Sequence, residues 1–355
     1  MDAHNSRGEP VGGRVVRAIT SMFAALSVLY SLLIVAWLAL YALSGDALWW
    51  MALLNSFVPY FFAPLAVFLP ASLLCRRWPF LMLVFPLLIC LGLYVPVFLP
   101  APPAASAADG TSLTVMSFNL WAGSKTSETA HVIFDQGTPD VIALQELGYR
   151  MERILLEEAG DVYPYYTASL SLGYRGMGVL SRYPMTELDA SHLQDPGWQI
   201  QVVRIETESG PVVLYNVHPI STNVLIYLER GLDVPERVRA SFASRYRLVR
   251  RLLDDVATRS EPVIVAGDFN STERSDVYRL LSDHLTDAHR AVGWGFGHTF
   301  PAYTGRYRGV PVPAAQMRID MIFSSAELRP VSCVVGSTWG ESDHRPVLAE
   351  FVWRR

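Results

Sequence analysis

The sequence has few cysteines, and their positions narrow the classes of protein to which it can belong. Three cysteines occur in 355 residues: Cys75 and Cys90 in an apolar N-terminal part, and Cys333 alone in the polar C-terminal part. A single cysteine cannot form an internal disulfide, so the C-terminal part has no disulfide framework. No cluster of cysteine and histidine has the spacing of a zinc site. We therefore expect neither a disulfide-stabilised domain nor a structural zinc protein.

The sequence also lacks an excess of positive charge. Its formal net charge is -4 and its pI is near 6.1. A protein that holds nucleic acid by bulk charge is normally basic, because it must neutralise many phosphates. The composition thus leaves small, lipid or locally held phosphate substrates open.

Charged residues are almost absent between Ala18 and Pro100, where three apolar stretches follow one another. The stretches are about Ala18–Leu43, Leu48–Leu74 and Phe80–Leu99. The first exceeds the roughly 20 residues that cross a bilayer and the roughly 7–15 residues of a signal-peptide core. The second contains Asn55, Pro59, Pro64 and Pro70, so a kink or break is expected. Three spans are favoured, with two spans and a re-entrant middle as the alternative.

The basic residues around these stretches predict an orientation. Arginines precede the first span and separate the second from the third: Arg7, Arg14, Arg17, Arg76 and Arg77. The loop Ser44–Ala47 carries only Asp46. By the positive-inside rule, the tail 1–17 and the Arg76–Arg77 loop are cytoplasmic. With three spans in 18–100 and a linker at 101–112, the domain 113–355 lies outside the cytoplasm; with two spans it would be cytoplasmic. The span centres hold no ionisable residue, which disfavours a transporter.

The C-terminal part alternates short β-type runs with helical ones. The predicted strands are Leu113–Phe118, Val141–Leu144, Gly178–Ser181, Gln199–Glu206, Val212–Val217, Val263–Ala266, Ile319–Phe323, Val331–Val335 and Val347–Val352. The predicted helices are Ser127–Asp135, Arg150–Ala159, Pro235–Val256 and Ser275–Ser282. Six arginines lie on Pro235–Val256, at 237, 239, 245, 247, 250 and 251. They predict a phosphate-binding patch or, as we favour, a solvated outer face.

Six short polar motifs lie at the ends or starts of predicted strands, where α/β scaffolds present catalytic groups. They are Ser117-Phe118-Asn119, Leu144-Gln145-Glu146, Asn216-Val217-His218, Gly267-Asp268-Phe269-Asn270, Arg318-Ile319-Asp320 and Ser342-Asp343-His344. Each motif alone has an ordinary structural explanation, since glycine and aspartate favour turns. Their occurrence together indicates one site.

The residue types in these motifs indicate phosphate chemistry. Asp268 and Asn270 are two apart in extended chain and face the same side, where they can polarise a water. Glu146 and Asn119 offer oxygen ligands, which favour Mg²⁺, or Mn²⁺, over Zn²⁺. His218 and His344 are suited to proton transfer near neutral pH, and Asp320 is a candidate partner for His344.

In this order, the six motifs resemble the full motif series of the endonuclease/exonuclease/phosphatase superfamily. That group includes deoxyribonuclease I, abasic-site endonucleases, neutral sphingomyelinases and inositol-polyphosphate 5-phosphatases. The resemblance covers Leu113–Trp353 and implies a four-layer α/β sandwich, with two packed mixed sheets flanked by helices. The aromatic segment Gly293–Pro301 is similar to that of bacterial membrane-attached members, which implies the bacterial inner or plasma membrane.

The resemblance also implies a role for each residue. Glu146 would be the main metal ligand, helped by Asn119 and Asp343. Asp268 and Asn270 would position or activate the attacking water, and His344 would pair with Asp320 and contact the phosphate or take a proton. His218 would stabilise the transition state or protonate the leaving oxygen. The implied substrate-binding residues are Asn216 and Arg182, the latter being as well explained by a surface turn.

Departures from the family pattern narrow the substrate. Trp121 stands where abasic endonucleases have an acidic residue, and His218 stands where they have tyrosine. Arg318-Ile319-Asp320-Met321 does not match the corresponding segment of inositol phosphatases. We therefore expect a membrane-anchored, metal-dependent phosphodiesterase acting on a nucleic acid or a phospholipid. The alternative is a catalytically silent phosphate-binding module, which the presence of Glu146, Asp268 and both histidines disfavours.

Overall fold

The computed structural model describes residues 11–75, 78–99, 112–171, 173–194, 198–307, 309–312 and 316–354. Most of the predicted tail, the Arg76–Arg77 loop and the predicted linker apart from residue 112 lie outside the described residues. The chain divides into two compact units. The first contains Met1–Gly45 and Phe57–Pro96, and the second contains Asp46–Ser56 and Val97–Arg355.

The first unit is helical. Its α-helices are α1 (Val11–Ser44), α3 (Leu65–Cys75) and α4 (Val84–Phe98), with 3₁₀ turns at Val58–Phe62 and Trp78–Leu83. The short helix α2 (Trp49–Asn55) lies between α1 and α3 in the sequence but belongs to the second unit. Within the part of the chain that the structure describes, two helices are long and apolar enough to cross a membrane, Gly12–Ser44 and Phe80–Phe98. A third candidate combines Trp49–Asn55 with Val58–Leu74, which are bent by 74° at the break between them. The bend agrees with the kink or break expected from the prolines.

The second unit contains the predicted α/β domain. Its further helices are α5 (Ser127–Asp135), α6 (Tyr149–Ala159), α7 (Val224–Glu229), α8 (Val234–Val256), α9 (Asp276–Ser282) and α10 (Ala288–Val292). Its strands are β1 (Ser112–Asn119), β2 (Val141–Gln145), β3 (Tyr165–Ser169), β4 (Met177–Ser181), β5 (Met185–Glu187), β6 (Trp198–Thr207), β7 (Gly210–Pro219), β8 (Val263–Asp268), β9 (Thr286–Asp287), β10 (Gly305–Tyr307), β11 (Val310–Val312), β12 (Asp320–Ser324), β13 (Leu328–Val335) and β14 (Val347–Trp353). All nine predicted strands and all four predicted helices are present.

Two six-stranded mixed sheets form the centre of this unit. Their strand orders are β13-β14-β1-β2-β4-β3 and β5-β6-β7-β8-β12-β9. One apolar core, which includes Val115, Ala143, Leu214 and Ala266, draws side chains from both sheets, so the sheets pack face to face. A second core joins the first sheet to α5 and α6, and a third joins the other sheet to α8 and α9. The predicted four-layer α/β sandwich is therefore confirmed.

Strand direction brings the predicted motifs to one edge of the sandwich. β1 and β2 are parallel, as are β7 and β8, so their carboxyl ends share an edge. β12 is antiparallel to β8, and its first residue, Asp320, lies opposite Asp268, the last residue of β8. Gly267, beside Asp268, has no space for a side chain, because an added Cβ would lie 1.9 Å from the Val217 carbonyl oxygen.

The segment Asp46–Ser56 differs from its predicted place in the membrane region, because it belongs to the second unit. The backbone N–H of Asp46 donates to the Asp276 carboxylate at 2.9 Å, and the N–H of Asp276 donates to the Asp46 carboxylate at 2.7 Å. Ala52 of α2 is buried against Val238 and Phe242 of α8. Polar pairing and apolar burial therefore attach this segment to the catalytic-type domain.

Candidate active site

Asp268, at the end of β8, is the centre of the cluster. The carboxylate accepts hydrogen bonds from Asn119 Nδ2 at 3.0 Å and from the Asn270 N–H at 2.8 Å. Nε2 of His218 lies 3.7 Å from it, and Nε2 of His344 lies 3.8 Å from it. Burial and the nearby Asp320 raise the pKa of Asp268, while the two histidines lower it. A buried carboxylate with a raised pKa is a stronger base than one in water.

Glu146 follows β2 directly, in a backbone conformation that side chains disfavour. Its φ is 57°, and Asn270 has a φ of 49°. Such conformations concentrate at functional sites, where the surrounding structure must hold them. The Glu146 carboxylate accepts from the Ala122 N–H at 2.9 Å, and Nε2 of His218 lies 3.8 Å from it. The end of β2 therefore presents a carboxylate to the same site as Asp268.

His344 and Asp320 form the predicted pair. Nδ1 of His344 lies 2.9 and 3.1 Å from the two Asp320 oxygens, and both residues are buried. Burial alone lowers the pKa of His344, but Asp320 and Asp268 outweigh burial and raise it to about 10. The imidazole is thus a cation at neutral pH, with Nε2 directed towards Asp268 and Asp343.

Asp343 is fixed by its neighbours in the sequence. The Ser342 hydroxyl donates to the Asn119 carbonyl at 2.6 Å and accepts from the His344 N–H at 3.0 Å, which ties this loop to β1. The pKa of Asp343 is raised to about 6, chiefly by burial; the charge of His344 opposes this rise, and the charges of Glu146 and Asp268 add to it. The site therefore holds several carboxylates whose mutual repulsion is only partly relieved by the histidines.

This excess of buried negative charge fits a divalent cation. Glu146, Asp268 and Asp343 supply carboxylate oxygens, the ligands that hard cations such as Mg²⁺ prefer. A second grouping brings donor atoms of Asp268, Asp320 and His344 within 4.8 Å of one another. In this second grouping, Nδ1 of His344 is already paired with Asp320. Among the described residues, only this second grouping brings its donor atoms so close together, whereas the first set offers carboxylate oxygens alone.

Asn119 is turned differently from the prediction. Its Oδ1 accepts from the Trp121 N–H at 3.0 Å, while Nδ2 faces Asp268 at 3.0 Å and Glu146 at 3.4 Å. In this rotation the amide holds the two carboxylates together. To ligate a metal as predicted, the amide would have to turn over and present its oxygen.

Asn216 is placed as a support between the two sheets. It is fully buried, and its Nδ2 donates to the carbonyls of Leu144 at 3.0 Å and Gly178 at 3.1 Å. Its Oδ1 accepts from Gln145 Nε2 at 2.7 Å. These bonds fix β7 to β2 and β4 just below the site. They favour a positioning role over the predicted contact with substrate.

Arg182 lies away from the site, contrary to its predicted role in substrate binding. β4 runs antiparallel to β2, so Ser181 is opposite Val141, at the far end from Glu146. At roughly 3.3 Å per residue, the length of β2 separates Arg182 from the site by about 15 Å. The side chain is half exposed and pairs with Asp140 at 3.2 Å. Its resemblance to a family segment therefore reflects a surface turn.

Three arginines near the site were given no role there by the sequence analysis. Arg245 of α8 is fully buried, so the predicted solvated face of α8 does not include it. Its position was readable, because 238, 242, 245, 249 and 252 repeat at core spacing. Arg318 is buried against Asp287, with Nη1 3.1 Å from the carboxylate. Arg175 is exposed and lines a cleft that also contains Tyr174, Gln199, Ser221, Glu146 and His218.

The family model for the Endonuclease/Exonuclease/phosphatase family matches residues 116–344 of this chain. The chain belongs to this family. Members are in general phosphoric-ester hydrolases that use a divalent metal. The matched residues contain the whole cluster from Asn119 to His344. No curated protein sequence shows a significant match to the chain.

Solved structures of the same fold are similar over the C-terminal unit. D. rerio TDP2 complexed with single strand DNA product has a TM-score of 0.52 at 18% identity, covering 68% of this chain and 99% of that chain. A family protein from Bacteroides thetaiotaomicron has a TM-score of 0.50 at 16% identity, covering 69% and 99%. At these identities, the likeness establishes the shared fold.

Proposed function

We propose that this protein is a membrane-anchored, divalent-metal-dependent phosphodiesterase that hydrolyses a P–O bond by attack of water. The observation that carries the proposal is the buried cluster at one sandwich edge, where Asp268, Glu146, His218 and His344 converge. A silent binding module would not need a buried base, a separate imidazolium and a second histidine in one cluster.

The surroundings of each side chain favour a division of roles. Asp268, with its raised pKa and its bond to Asn270, is suited to hold the attacking water and take its proton. His344 is protonated at neutral pH, which favours contact with the phosphate oxygens over removal of a proton. His218 lies between Glu146 and Asp268 and is suited to protonate the leaving oxygen.

Glu146 and Asp343 would hold the metal, with Asp268 beside them and Asn119 joining if its amide turns over. The oxygen-rich set favours Mg²⁺, with Mn²⁺ as the alternative. A bound cation of this kind would neutralise phosphate charge and stabilise the charge that develops during displacement.

Chain connectivity supports three spans and a domain outside the cytoplasm. The paired hydrogen bonds of Asp46 and Asp276 require residue 46 and the catalytic unit to lie on one side of the membrane. Between Ser56 and Val97 the chain must therefore cross the membrane an even number of times. If Phe80–Phe98 crosses, Val58–Leu74 crosses too, which disfavours the two-span alternative. With the N-terminal arginines cytoplasmic, the domain is extracytoplasmic.

The first test replaces Glu146 with glutamine, which keeps the shape of the side chain and removes its charge. We expect metal-dependent cleavage of bis-p-nitrophenyl phosphate by the full-length protein to fall by about 10³-fold, since the principal ligand is lost. Mg²⁺ or Mn²⁺ binding, measured by calorimetry, should weaken in parallel, and EDTA should abolish wild-type activity. Unchanged turnover in Glu146→Gln would refute the ligand assignment. A folded wild-type protein that binds no metal and cleaves no substrate would favour the alternative, the catalytically silent binding module.

The two exposed arginines provide a matched pair for substrate binding. Arg175 lines the cleft beside Glu146 and His218, whereas Arg182 lies at the far end of the sheet. We expect Arg175→Ala to raise KM by about tenfold, the effect of losing one charge-assisted hydrogen bond. Arg182→Ala should change kcat/KM by less than about twofold, because a surface ion pair contributes little. Steady-state kinetics of the two variants test this prediction. A larger effect for Arg182→Ala than for Arg175→Ala would restore Arg182 as a substrate ligand.

A further inference from the structure

Residues 293–298 form an aromatic loop that packs on the last residues of α4. The Gly295 N–H donates to the Val97 carbonyl at 2.9 Å. The Phe98 ring meets Trp294 edge to face at 5.4 Å and Phe296 at 5.1 Å. Val97 and Phe98 end the 19-residue apolar helix Phe80–Phe98, which is long enough to span a bilayer. If that helix crosses, the aromatic loop lies at the bilayer surface.

The chain continues from the aromatic loop to Thr299 and Phe300, which contact the pair formed by Asp320 and His344. The Thr299 hydroxyl accepts from the N–H groups of Ile319 and Asp320, each at 3.3 Å. The Phe300 ring lies 4.7 Å from the His344 ring. Six residues therefore lead from Trp294 to the wall of the site, a path of at most about 20 Å.

A second connection joins the site to a segment that adjoins the apolar helices. Thr272 lies two residues after Asn270, and its hydroxyl donates to the Asn55 carbonyl at 3.5 Å. Asp276, four residues further on, and Asp46 each donate a backbone N–H to the other's carboxylate. The loop that follows β8 is thus bound to Asp46–Ser56, and the aromatic loop is bound to Val97–Phe98.

Trp294 has the exposure expected of a residue at a lipid interface. It is 70% exposed, while its neighbour Phe296 is held by the stack with His298 at 5.1 Å. Arg290 fixes the loop by donating to the carbonyls of Gly295 and Phe296 at 3.1 and 3.2 Å. Tryptophan has an apolar body and a polar N–H, and it concentrates where hydrocarbon meets headgroups.

We propose that residues 293–298 are a bilayer-contact surface with Trp294 seated among the headgroups, and that the site takes its phosphoester from a lipid headgroup at that surface. The second half of this statement rests on the proposed phosphodiesterase function. Nucleic acid is the less favoured occupant, because the formal net charge is -4 and an exposed tryptophan beside the end of a span is already placed for lipid.

The test uses the full-length protein in liposomes of phosphatidylcholine, phosphatidylglycerol and sphingomyelin. Release of phosphorylated headgroup is compared with hydrolysis of soluble bis-p-nitrophenyl phosphate. We expect Trp294→Ala to lower headgroup release by about tenfold, the effect of losing one buried aromatic contact, while soluble turnover stays within about twofold. Trp294→Phe should restore most of the loss. Tyr165→Ala is the control, since Tyr165 is 38% exposed and lies opposite Ser181, at the far end of the sheet.

Quenching of tryptophan fluorescence by bromolipids is the second readout, and it is independent of catalysis. Loss of part of the quenching in Trp294→Ala supports the contact surface even if the wild-type protein cleaves nothing, in which case the phosphodiesterase function fails separately. Unchanged quenching overturns the surface. An equal loss on lipid and soluble substrate also overturns it, as does selective loss of single-stranded oligonucleotide cleavage.

Discussion

Replacing Asp320 with asparagine is expected to lower kcat by about 10³-fold and to shift the pH dependence of the remaining activity. The carboxylate lies 2.9 Å from Nδ1 of His344, and both groups are buried. Asparagine has the same shape but cannot hold the imidazole as a cation. The backbone N–H of residue 320 still donates to Thr299, so the start of β12 should stay in place.

The sign of the pH shift follows from the direction of the pKa change. Asp320 is the largest contributor to raising the pKa of His344 to about 10, against burial, which lowers it. In the wild type, an imidazolium that contacts phosphate persists until the pH approaches that value. In Asp320→Asn the loss should begin at a lower pH. The raised pKa of His344 also affects stability. The protonated imidazole stabilises the folded protein, and this contribution is complete below the pKa of about 6.5 that histidine has in an unfolded chain. It is lost as the pH rises towards about 10.

A profile of kcat against pH, with the metal concentration held saturating, measures both effects. Asp140→Asn is the control, because Asp140 accepts from Thr114 at the opposite end of β2. It should keep the wild-type profile. If Asp320→Asn retained wild-type kcat and the same limbs, the pair would be structural and His344 would not act as a cation.

The main features of the fold could be predicted because each strand carries its own pattern. β8 is a continuous apolar run that ends in Gly267 and Asp268, and its position needed no knowledge of its neighbours. The motif order then placed the catalytic side chains on strand ends. The short strands β5, β9, β10 and β11 were missed, since two or three residues carry no period, and β3 was missed as well.

Two features of the structure could not be predicted from the sequence, for the same physical reason. Sequence shows that Arg182 follows a strand, but it does not show the direction in which that strand runs in the sheet. Because β4 is antiparallel to β2, Arg182 lies at the end of the sheet opposite Glu146. Similarly, the contact of Asp46 with Asp276 joins residues 230 apart, and no local pattern announces it. The burial of Arg245 is a different case. Its spacing along α8 indicated a core position, but its charge led us to assign it to the solvated face.

Arg245 is the residue whose loss we expect to disturb both the stability and the geometry of the site. Its guanidinium donates to the Ser271 hydroxyl at 3.4 Å and to the Thr222 hydroxyl, and it lies 4.1 Å from the centroid of the Phe242 ring. Ser271 follows Asn270, and Thr222 lies four residues after His218. One buried cation therefore ties together the two loops that follow these catalytic residues.

We expect Arg245→Met to lower the free energy of unfolding by about 3 kcal/mol, since methionine fills the space but leaves buried polar groups unpaired. Thermal unfolding of the full-length protein in detergent measures the loss. Turnover should fall by about tenfold or more, because displacement of catalytic groups by about 1 Å is costly. Arg247→Ala, on the exposed face of α8, should match the wild type in both assays.

Asp46 allows the same prediction to be tested through pH. The pKa of Asp46 is raised to about 6, chiefly by burial and also by the Asp276 charge, while hydrogen bonds with Asp276 and Asn55 and the charge of Arg245 oppose the rise. Because this pKa exceeds the value of about 3.9 in an unfolded chain, folding takes up a proton between these values. The stability contributed by protonated Asp46 therefore increases as the pH falls towards about 4 and is lost as the pH rises through about 6.

This pH dependence should become steeper in Arg245→Met, where the compensating cation is missing, and flatten in Asp46→Asn. In the double variant, Asp46→Asn should recover about 1–2 kcal/mol of the loss, the coupling expected of neighbours that share a network. Additive effects of the two substitutions, or a pH dependence unchanged in Asp46→Asn, would show that the segment Asp46–Ser56 and the site loops are energetically independent. Coupling would mean that the segment Asp46–Ser56 completes the unit that carries the site, and that a fragment beginning after the spans lacks part of it.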